Sequence, residues 1–169
     1  VVGRPLTADR IVVEQNARIS PFETTVAGER RLAITVDDMT VDTGGAIDLG
    51  GRGFLGDCHG GACGGGPYGP GNVQGGRAAM SGGAHGGSSA HGAYGDWLAP
   101  TTLGMGGNYG AGGGEPGGDG GGALRLVVTG SLRVDGTITA DGEAPPAVAQ
   151  LNGSGGAGGS IWVTAGTVS

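Results

Sequence analysis

The residues of this chain that could do covalent chemistry or bind a metal lie mostly in one glycine-rich stretch. Cys58 and Cys63 are the only two cysteines, and the segment between them, His-Gly-Gly-Ala, is long enough to close a small disulfide ring. Two neighbouring cysteines in a glycine-rich chain without lysine indicate an oxidising, extracellular setting. We therefore predict a Cys58–Cys63 disulfide, with a pair of free thiols as the alternative.

The three histidines could add metal ligands to these cysteines, since zinc binds both residue types. His59, His85 and His91 are spread along glycine-rich sequence, and the Cys-x4-Cys spacing is wider than the usual Cys-x2-Cys of zinc sites. Surface histidines are therefore favoured over a metal centre, and these residues are candidate ligands only.

Aspartates recur at predicted turns, and the adjacent pair Asp37 and Asp38 is the clearest example. Stacked carboxylates can bind calcium through their oxygens, although the glycine–aspartate repeat of calcium-binding β-rolls is absent. Aspartate is also a common turn residue because its carboxylate accepts hydrogen bonds from nearby backbone N–H groups. Structural turns are favoured, and calcium is the one cofactor left open. The aspartates at predicted corners are Asp37, Asp38, Asp42, Asp48, Asp135 and Asp141.

Paired carboxylates could also belong to a polysaccharide hydrolase or lyase, but nothing else in the sequence supports an enzyme. No arginine cluster stands beside Asp37 and Asp38, and there is neither a Gly-x-Ser-x-Gly elbow nor a phosphate-binding loop. A threonine face that could bind ice is interrupted by arginine, valine and tryptophan. We predict no catalytic residues and no enzymatic activity.

The composition is far from that of an average globular domain. Glycine supplies 44 of the 169 residues and aromatic residues only 4%, whereas ordinary proteins contain about 7% glycine. A core of large side chains is therefore not expected. The net charge is −6 and lysine is absent, which argues against nucleic acid or an anionic membrane as a partner. No apolar run approaches the ~20 residues that cross a bilayer.

Apolar and polar residues alternate outside the glycine-rich block, which predicts short strands rather than helices. The strands form two similar triplets, and turns rich in Asp and Gly separate the strands within each triplet. Asp135-Gly136 alone would suit a hairpin, but the repeat favours one coil of a β-solenoid per triplet. The triplets are 32–36, 39–42 and 46–49, and then 124–128, 131–134 and 137–140.

Stacked coils would place equivalent apolar residues in inward columns. We therefore predict an all-β chain without significant helix, a short right-handed parallel β-solenoid with a large glycine-rich insertion. Solenoid coils are expected at 1–49, the insertion at 50–122, and further coils at 123–169 with a short glycine-rich excursion at 143–160. The predicted columns are Ile11, Ile34, Leu126 and Ile161, and beside them Val13, Val36, Val128 and Val163.

Glycine recurs at every third position over short runs of the insertion, for example at 53 and 56 and at 104, 107, 110 and 113. Three residues per turn is the period of the extended polyproline II helix, and the broken register excludes a collagen triple helix. We predict polyglycine-II-like strands joined by backbone hydrogen bonds, with an irregular Ω-loop as the alternative. Trp97-Leu98 is expected to cap or anchor the block.

The doublet-rich Gly-Gly-X tract resembles the polyglycine-II domains of phage tail-tip adhesins. Two further segments, Ser-Leu-Arg-Val-Asp-Gly-Thr-Ile-Thr-Ala-Asp-Gly (131–142) and Gly-Ser-Gly-Gly-Ala-Gly-Gly-Ser-Ile-Trp-Val (153–163), resemble the β-helical repeats of glycine-rich bacterial surface proteins. The resemblance is compositional. It implies an extracellular, non-catalytic, adhesive or scaffolding role and assigns no functional residue.

The expected function is that of a structural protein at the cell surface or secreted from the cell, as a subunit or segment of a fibre. The strand-like end from Ile161 onward has no polar cap, and an open solenoid end exposes unpaired backbone groups. End-to-end self-association is therefore the expected partnership. The alternative is an adhesin-type module that binds a glycan or surface receptor, and a polysaccharide-degrading β-helix enzyme is less favoured.

Overall fold

The computed structural model describes residues 5–58, 66–74, 85, 94–110, 116–145 and 153–169. These residues form nine β-strands and one 3-10 turn at Pro70–Asn72, with no α-helix among them. The strands are β1 (Leu6–Val13), β2 (Arg18–Ile19), β3 (Leu32–Val41), β4 (Ala46–Asp48), β5 (Tyr68–Gly69), β6 (Val73–Gln74), β7 (Ala123–Val134), β8 (Thr137–Thr139) and β9 (Ser160–Val168).

Two parallel sheets dominate the fold. The first has the order β1-β3-β7-β9 and the second the order β2-β4-β8, while β5 and β6 form a small antiparallel pair. The chain passes from a strand of the first sheet to a strand of the second three times, from β1 to β2, β3 to β4 and β7 to β8. For the residues that the structure describes, the predictions of an all-β fold without α-helix and of parallel pairing are confirmed, and Asp135-Gly136 does not close a hairpin.

The register at the centre of the first sheet is the predicted one. Ile34 pairs with Leu126, and Val36 pairs with Val128. The predicted register of the outer strands is wrong, because Leu6 rather than Ile11 lies beside Ile34, and Val163 rather than Ile161 lies beside Leu126. A shift of two residues keeps the same face inward, so alternation alone could not exclude it for β9.

The predicted corner at Asp37 and Asp38 is also wrong, because β3 continues through it. The inward side chains of β3 include Ile34, Val36 and then Met39. Two outward residues therefore stand between Val36 and Met39 instead of one, and the strand continues without a turn. The neighbouring strand β7 carries one more residue over the same stretch, with Leu132 opposite Met39. This is a β-bulge, which inserts an extra residue into one strand of a pair.

Side chains hold this bulge together. Thr129 donates its hydroxyl to Asp37 Oδ1 at 2.7 Å, and Ser131 donates both its backbone N–H (2.8 Å) and its hydroxyl (2.6 Å) to Asp38 Oδ1. These bonds favour the ionised carboxylate and hold the pKa of Asp38 below its ordinary value. The aspartate pair therefore stabilises an irregular strand.

The apolar core lies between the two parallel sheets. Its residues are small aliphatic side chains in register from strand to strand, with Ile47 and Leu49 of the β4 region facing the first sheet's column. The fully or nearly fully buried members are Val13, Ile34, Val36, Met39, Val41, Ile47, Leu49, Leu124, Leu126, Val128 and Leu132.

Glycine-rich segments pack beside this core through their backbones. Gly104 and Gly107 donate N–H bonds of 2.8 Å to Gly121 and Gly118, and their own carbonyls accept from Phe54 (2.9 Å) and Asp57 (3.0 Å). Bonding to a given neighbour thus recurs every third residue. We call the segments 52–58, 103–108, 117–122, 140–144 and 153–160 the glycine-rich flank.

The close approach of these segments depends on the missing side chain. A Cβ at Gly107 would lie 2.0 Å from the Ser154 carbonyl oxygen, and a Cβ at Gly120 would lie 1.9 Å from that of Gly104. Both distances are far inside van der Waals contact, so no larger residue fits without separating the backbones.

Candidate functional site

We call the two parallel sheets, β1-β3-β7-β9 and β2-β4-β8, the parallel stack. Its most exposed apolar surface lies on strand β9. Ile161, Val163 and Val168 are 40%, 37% and 70% exposed, although their partners in β7 are 0–3% exposed. Each partner belongs to the buried core, since Leu124, Leu126 and Leu132 pair with these three residues in that order. The columns of inward residues therefore end on β9, where no further strand among the described residues covers them.

Strand β1 is the opposite edge of the same sheet. Leu6 is 43% exposed, whereas Val13 at the other end of the strand is 2% exposed. Like β9, this strand has one neighbour in the sheet order and leaves one row of backbone groups unpaired within the sheet. Open edges of this kind are ready templates for pairing with another strand.

The predicted disulfide and metal ligands are described only in part. Cys58 is disulfide-bonded and has a left-handed backbone (φ 69°). Cys63, His59 and His91 lie outside the described residues, so the Cys58–Cys63 pairing stays a prediction. The described part of the chain contains no group of three or more His, Cys, Asp or Glu residues suited to a metal ion.

His85 is the one described histidine of the predicted set, and its environment is structural. Its Nε2 lies 2.7 Å from the Thr102 hydroxyl and 3.2 Å from the Ser160 hydroxyl, and its ring meets Tyr94 edge-on at 5.3 Å. Burial of the ring lowers the pKa of His85 and favours the neutral imidazole.

The Ser160–His85 contact does not have the arrangement of a nucleophile and its base. Ser160 donates its hydroxyl to the Thr102 carbonyl at 2.7 Å, so its proton is directed away from the imidazole. The cluster joins the segment at 94–102 to the start of β9. Nothing in the sequence pattern pointed to it, because its residues are far apart along the chain.

The predicted corner aspartates act through hydrogen bonds to nearby groups. Asp48 accepts the Gly50 N–H at 2.8 Å and the Thr139 hydroxyl at 3.1 Å, and it forms an ion pair with Arg18 at 2.8 Å. The first of these bonds is the local turn-forming contact that the residue type predicts. Asp37 and Asp38 bind the β7 bulge as described above.

The expected anchoring role of Trp97-Leu98 is wrong. Trp97 is 86% exposed and Leu98 is 68% exposed. The aromatic residues that do pack against the glycine-rich flank are Tyr68 and Tyr94, which contact the small cluster of Phe54, Leu103 and Ala123. Burial raises the pKa of Tyr94, whose hydroxyl donates to the Leu103 carbonyl at 2.6 Å.

No family model, no curated protein and no solved structure matches the chain. Within the described ranges, no helix has the length and apolar character needed to cross a membrane.

Proposed function

We propose that this chain is a non-catalytic structural segment of an extracellular surface fibre. In this proposal the parallel strands are the coils of a short right-handed β-solenoid, and the glycine-rich flank is a polyglycine-II-like bundle beside it. The fibre grows where a further strand covers β9.

The solenoid interpretation is supported by the order of the strands. Consecutive strands alternate between two parallel sheets, and each sheet adds its strands in the order of the sequence. A coil that advances by one strand spacing per turn produces this order, and it stacks like residues on like residues.

The polyglycine-II interpretation is supported by the period and direction of the backbone bonds. The segment around Gly118 and Gly121 donates to Ser154 (3.0 Å) and Ala157 (2.8 Å) on one side. On another side the carbonyls of the same two glycines accept from the segment at 103–108. Bonding in several directions with a period of three is the property of packed three-residue helices, whereas a β-strand bonds in one plane.

The observation that carries the fibre proposal is the exposed apolar edge of β9. Its inward residues Val163, Ala165 and Val168 are spaced by two and then three positions. The inward residues Leu6, Ala8 and Ile11 of β1 have the same spacing. The first strand of a second copy could therefore pair with β9 without a bulge, with Leu6 beside Val163 and Ile11 beside Val168.

The test is the concentration dependence of assembly. We expect the purified chain to form elongated particles as its concentration rises, seen by light scattering and negative-stain microscopy. Val163→Arg should abolish this growth because it places a charge in the apolar seam. The matched control is Thr164→Arg, which adds the same charge to an exposed position facing away from the core.

The register has its own readout. A Thr7→Cys, Thr164→Cys double variant should be cross-linked between copies by a short bis-maleimide, since these positions adjoin in the proposed pairing. A chain that stays monomeric at all concentrations would contradict the fibre proposal. Growth without this cross-link would retain the fibre but reject the register.

A further inference from the structure

A small cleft lies where the starts of β3 and β7 run side by side. Its volume is about 320 Å³, close to the lower limit of the ~300–1,000 Å³ usual for ligand sites. Arg31, Arg125 and Thr101 supply its polar side chains, and Pro5 and Ala33 contribute apolar surface. The size suits one monosaccharide-sized group.

Arg125 is the dominant charge of this cleft. It pairs in register with Ala33 on one side and with Trp162 on the other, and its guanidinium carbon lies 5.2 Å from the centre of the Trp162 ring. No carboxylate in the described part of the chain forms an ion pair with Arg125. A guanidinium stacked on an aromatic ring is oriented while its N–H donors stay available.

Arg31 contributes donors but little net charge. Its Nη2 forms an ion pair with Glu29, and Glu29 in turn accepts the Gly71 N–H at 3.1 Å. The Arg31 Nε is buried and has no hydrogen-bond partner among the described residues. A buried donor without a partner is unfavourable, and here it belongs to a residue that lines the cleft.

We propose that this cleft binds the carboxylate of an acidic sugar residue, with Arg125 as its principal contact. After the Arg31–Glu29 pair is counted, one positive charge remains, which matches a singly charged carboxylate better than a doubly charged phosphate. Guanidinium groups bind carboxylates through two parallel hydrogen bonds. The apolar surface of Pro5 and Ala33 suits the C–H face of a sugar ring, and the Thr101 hydroxyl suits a ring hydroxyl.

This inference does not depend on the fibre proposal, since Arg31, Ala33 and Arg125 lie on or directly before β3 and β7 and not on the edge strands proposed to pair. In a stack of copies, the cleft would recur along one side of the fibre. Repeated weak sites on one particle raise the total affinity for a polymer without new contacts.

The test titrates the chain with sodium D-glucuronate, D-glucose and sodium acetate. Trp162 fluorescence reports binding in a Trp97→Phe background, because Trp97 and Trp162 are the only tryptophans. We expect saturable binding of glucuronate, none of glucose, and weaker binding of acetate. Added salt should weaken the glucuronate complex, since Arg125 is exposed.

Two arginine variants separate the cleft from general surface charge, with calorimetry as the readout. Arg125→Gln should weaken glucuronate binding by about ten-fold or more, the effect of losing a charged hydrogen bond. Arg133→Gln is the matched control, because Arg133 lies on the same strand but pairs with Asp135 at 2.6 Å and is outside the cleft. Its binding should be unchanged, and circular dichroism should show both variants folded.

Four results would overturn the proposal. Absence of glucuronate binding, or equal binding of glucose, would reject a carboxylate site. Acetate binding as tight as glucuronate would reject recognition of the sugar. An equal loss in Arg125→Gln and Arg133→Gln would reject the cleft as the location.

Discussion

The parallel stack and the glycine-rich flank solve the same packing problem in opposite ways. In the stack, aliphatic side chains such as Leu126 fill the space between two sheets and are fully buried. In the flank, backbones touch directly, and an added Cβ at Gly159 would lie 1.8 Å from the Gly122 carbonyl oxygen. Side-chain volume stabilises the first region and would disrupt the second.

The difference explains how a chain with so few aromatic residues can be ordered. Ordering glycine costs more backbone entropy than ordering any other residue. Many short backbone hydrogen bonds offset that cost in the flank, and buried aliphatic area does so in the stack. The contrast can be tested by measuring stability after two opposite changes: removing methyl groups from the stack and adding a methyl group to the flank.

The largest effect is expected from removing volume in the stack. Leu126→Ala should lower the free energy of unfolding by about 2–5 kcal/mol, because it deletes buried groups and leaves a cavity. Val127→Ala, on the outer face of the same strand, is the matched control and should cost about 1 kcal/mol or less. Denaturant unfolding measures both, and equal losses would contradict the inward assignment of Leu126.

The next effect comes from adding volume to the flank. Gly159→Ala should destabilise the fold by about 1–3 kcal/mol because its methyl group meets a backbone carbonyl that cannot rotate away. Gly158→Ala is the control one residue away, where the added Cβ would lie 3.6 Å from the Ala140 oxygen. That variant should be neutral or slightly stabilising. If both variants behave alike, backbone contact is not what limits the flank.

A smaller effect is expected at His85, which joins the segment at 94–102 to the start of β9. Burial lowers the pKa of this imidazole, so the unfolded chain takes up a proton near pH 6.5 before the folded chain does. The stability from neutral His85 is present above about pH 6.5 and falls as the pH drops toward the lower folded pKa. His85→Gln should therefore show a shallower fall in thermal midpoint between pH 7 and 5. An unchanged slope would contradict this role.

The smallest effect is expected at the bulge. Hydrogen bonds from Ser131 hold the pKa of Asp38 low, so its contribution is present above the unfolded pKa of about 3.9. It is lost as the pH falls through the folded pKa. Asp38→Asn should melt below the parent chain at pH 7 and together with it near pH 2, while the exposed Asp9→Asn should match the parent at both. A gap that persists at pH 2 would mean that the carboxylate charge is not the cause.

Several features of the fold could be predicted from the sequence because they are local or repeated. Alternation in segments such as Leu32–Val36 predicts strands, and the likeness of 32–41 to 124–134 predicts that Ile34 and Leu126 adjoin. The period of three in glycine predicts bonding that recurs at Gly104 and Gly107. Each of these follows from a pattern within the chain itself.

Other features depend on contacts between distant residues. The bulge of β7 replaced a predicted corner, because Asp38 could bind Ser131, 93 residues away, and so hold an extra residue in the strand. The position of Trp97 and the Arg31–Arg125 cleft likewise have no local signal.

The sequence by itself determined which residues of β3 and β7 point inward, and its glycine period favoured close packing of backbones over an irregular loop, since both follow from side-chain size and period. Only the tertiary structure decided the register of β1 and β9, the contacts of His85 with Thr102 and Ser160, and the exposure of the apolar residues on β9. Those features depend on which groups far apart in the chain come into contact. The periodicity of the sequence does not show which of several possible distant partners a residue will bind.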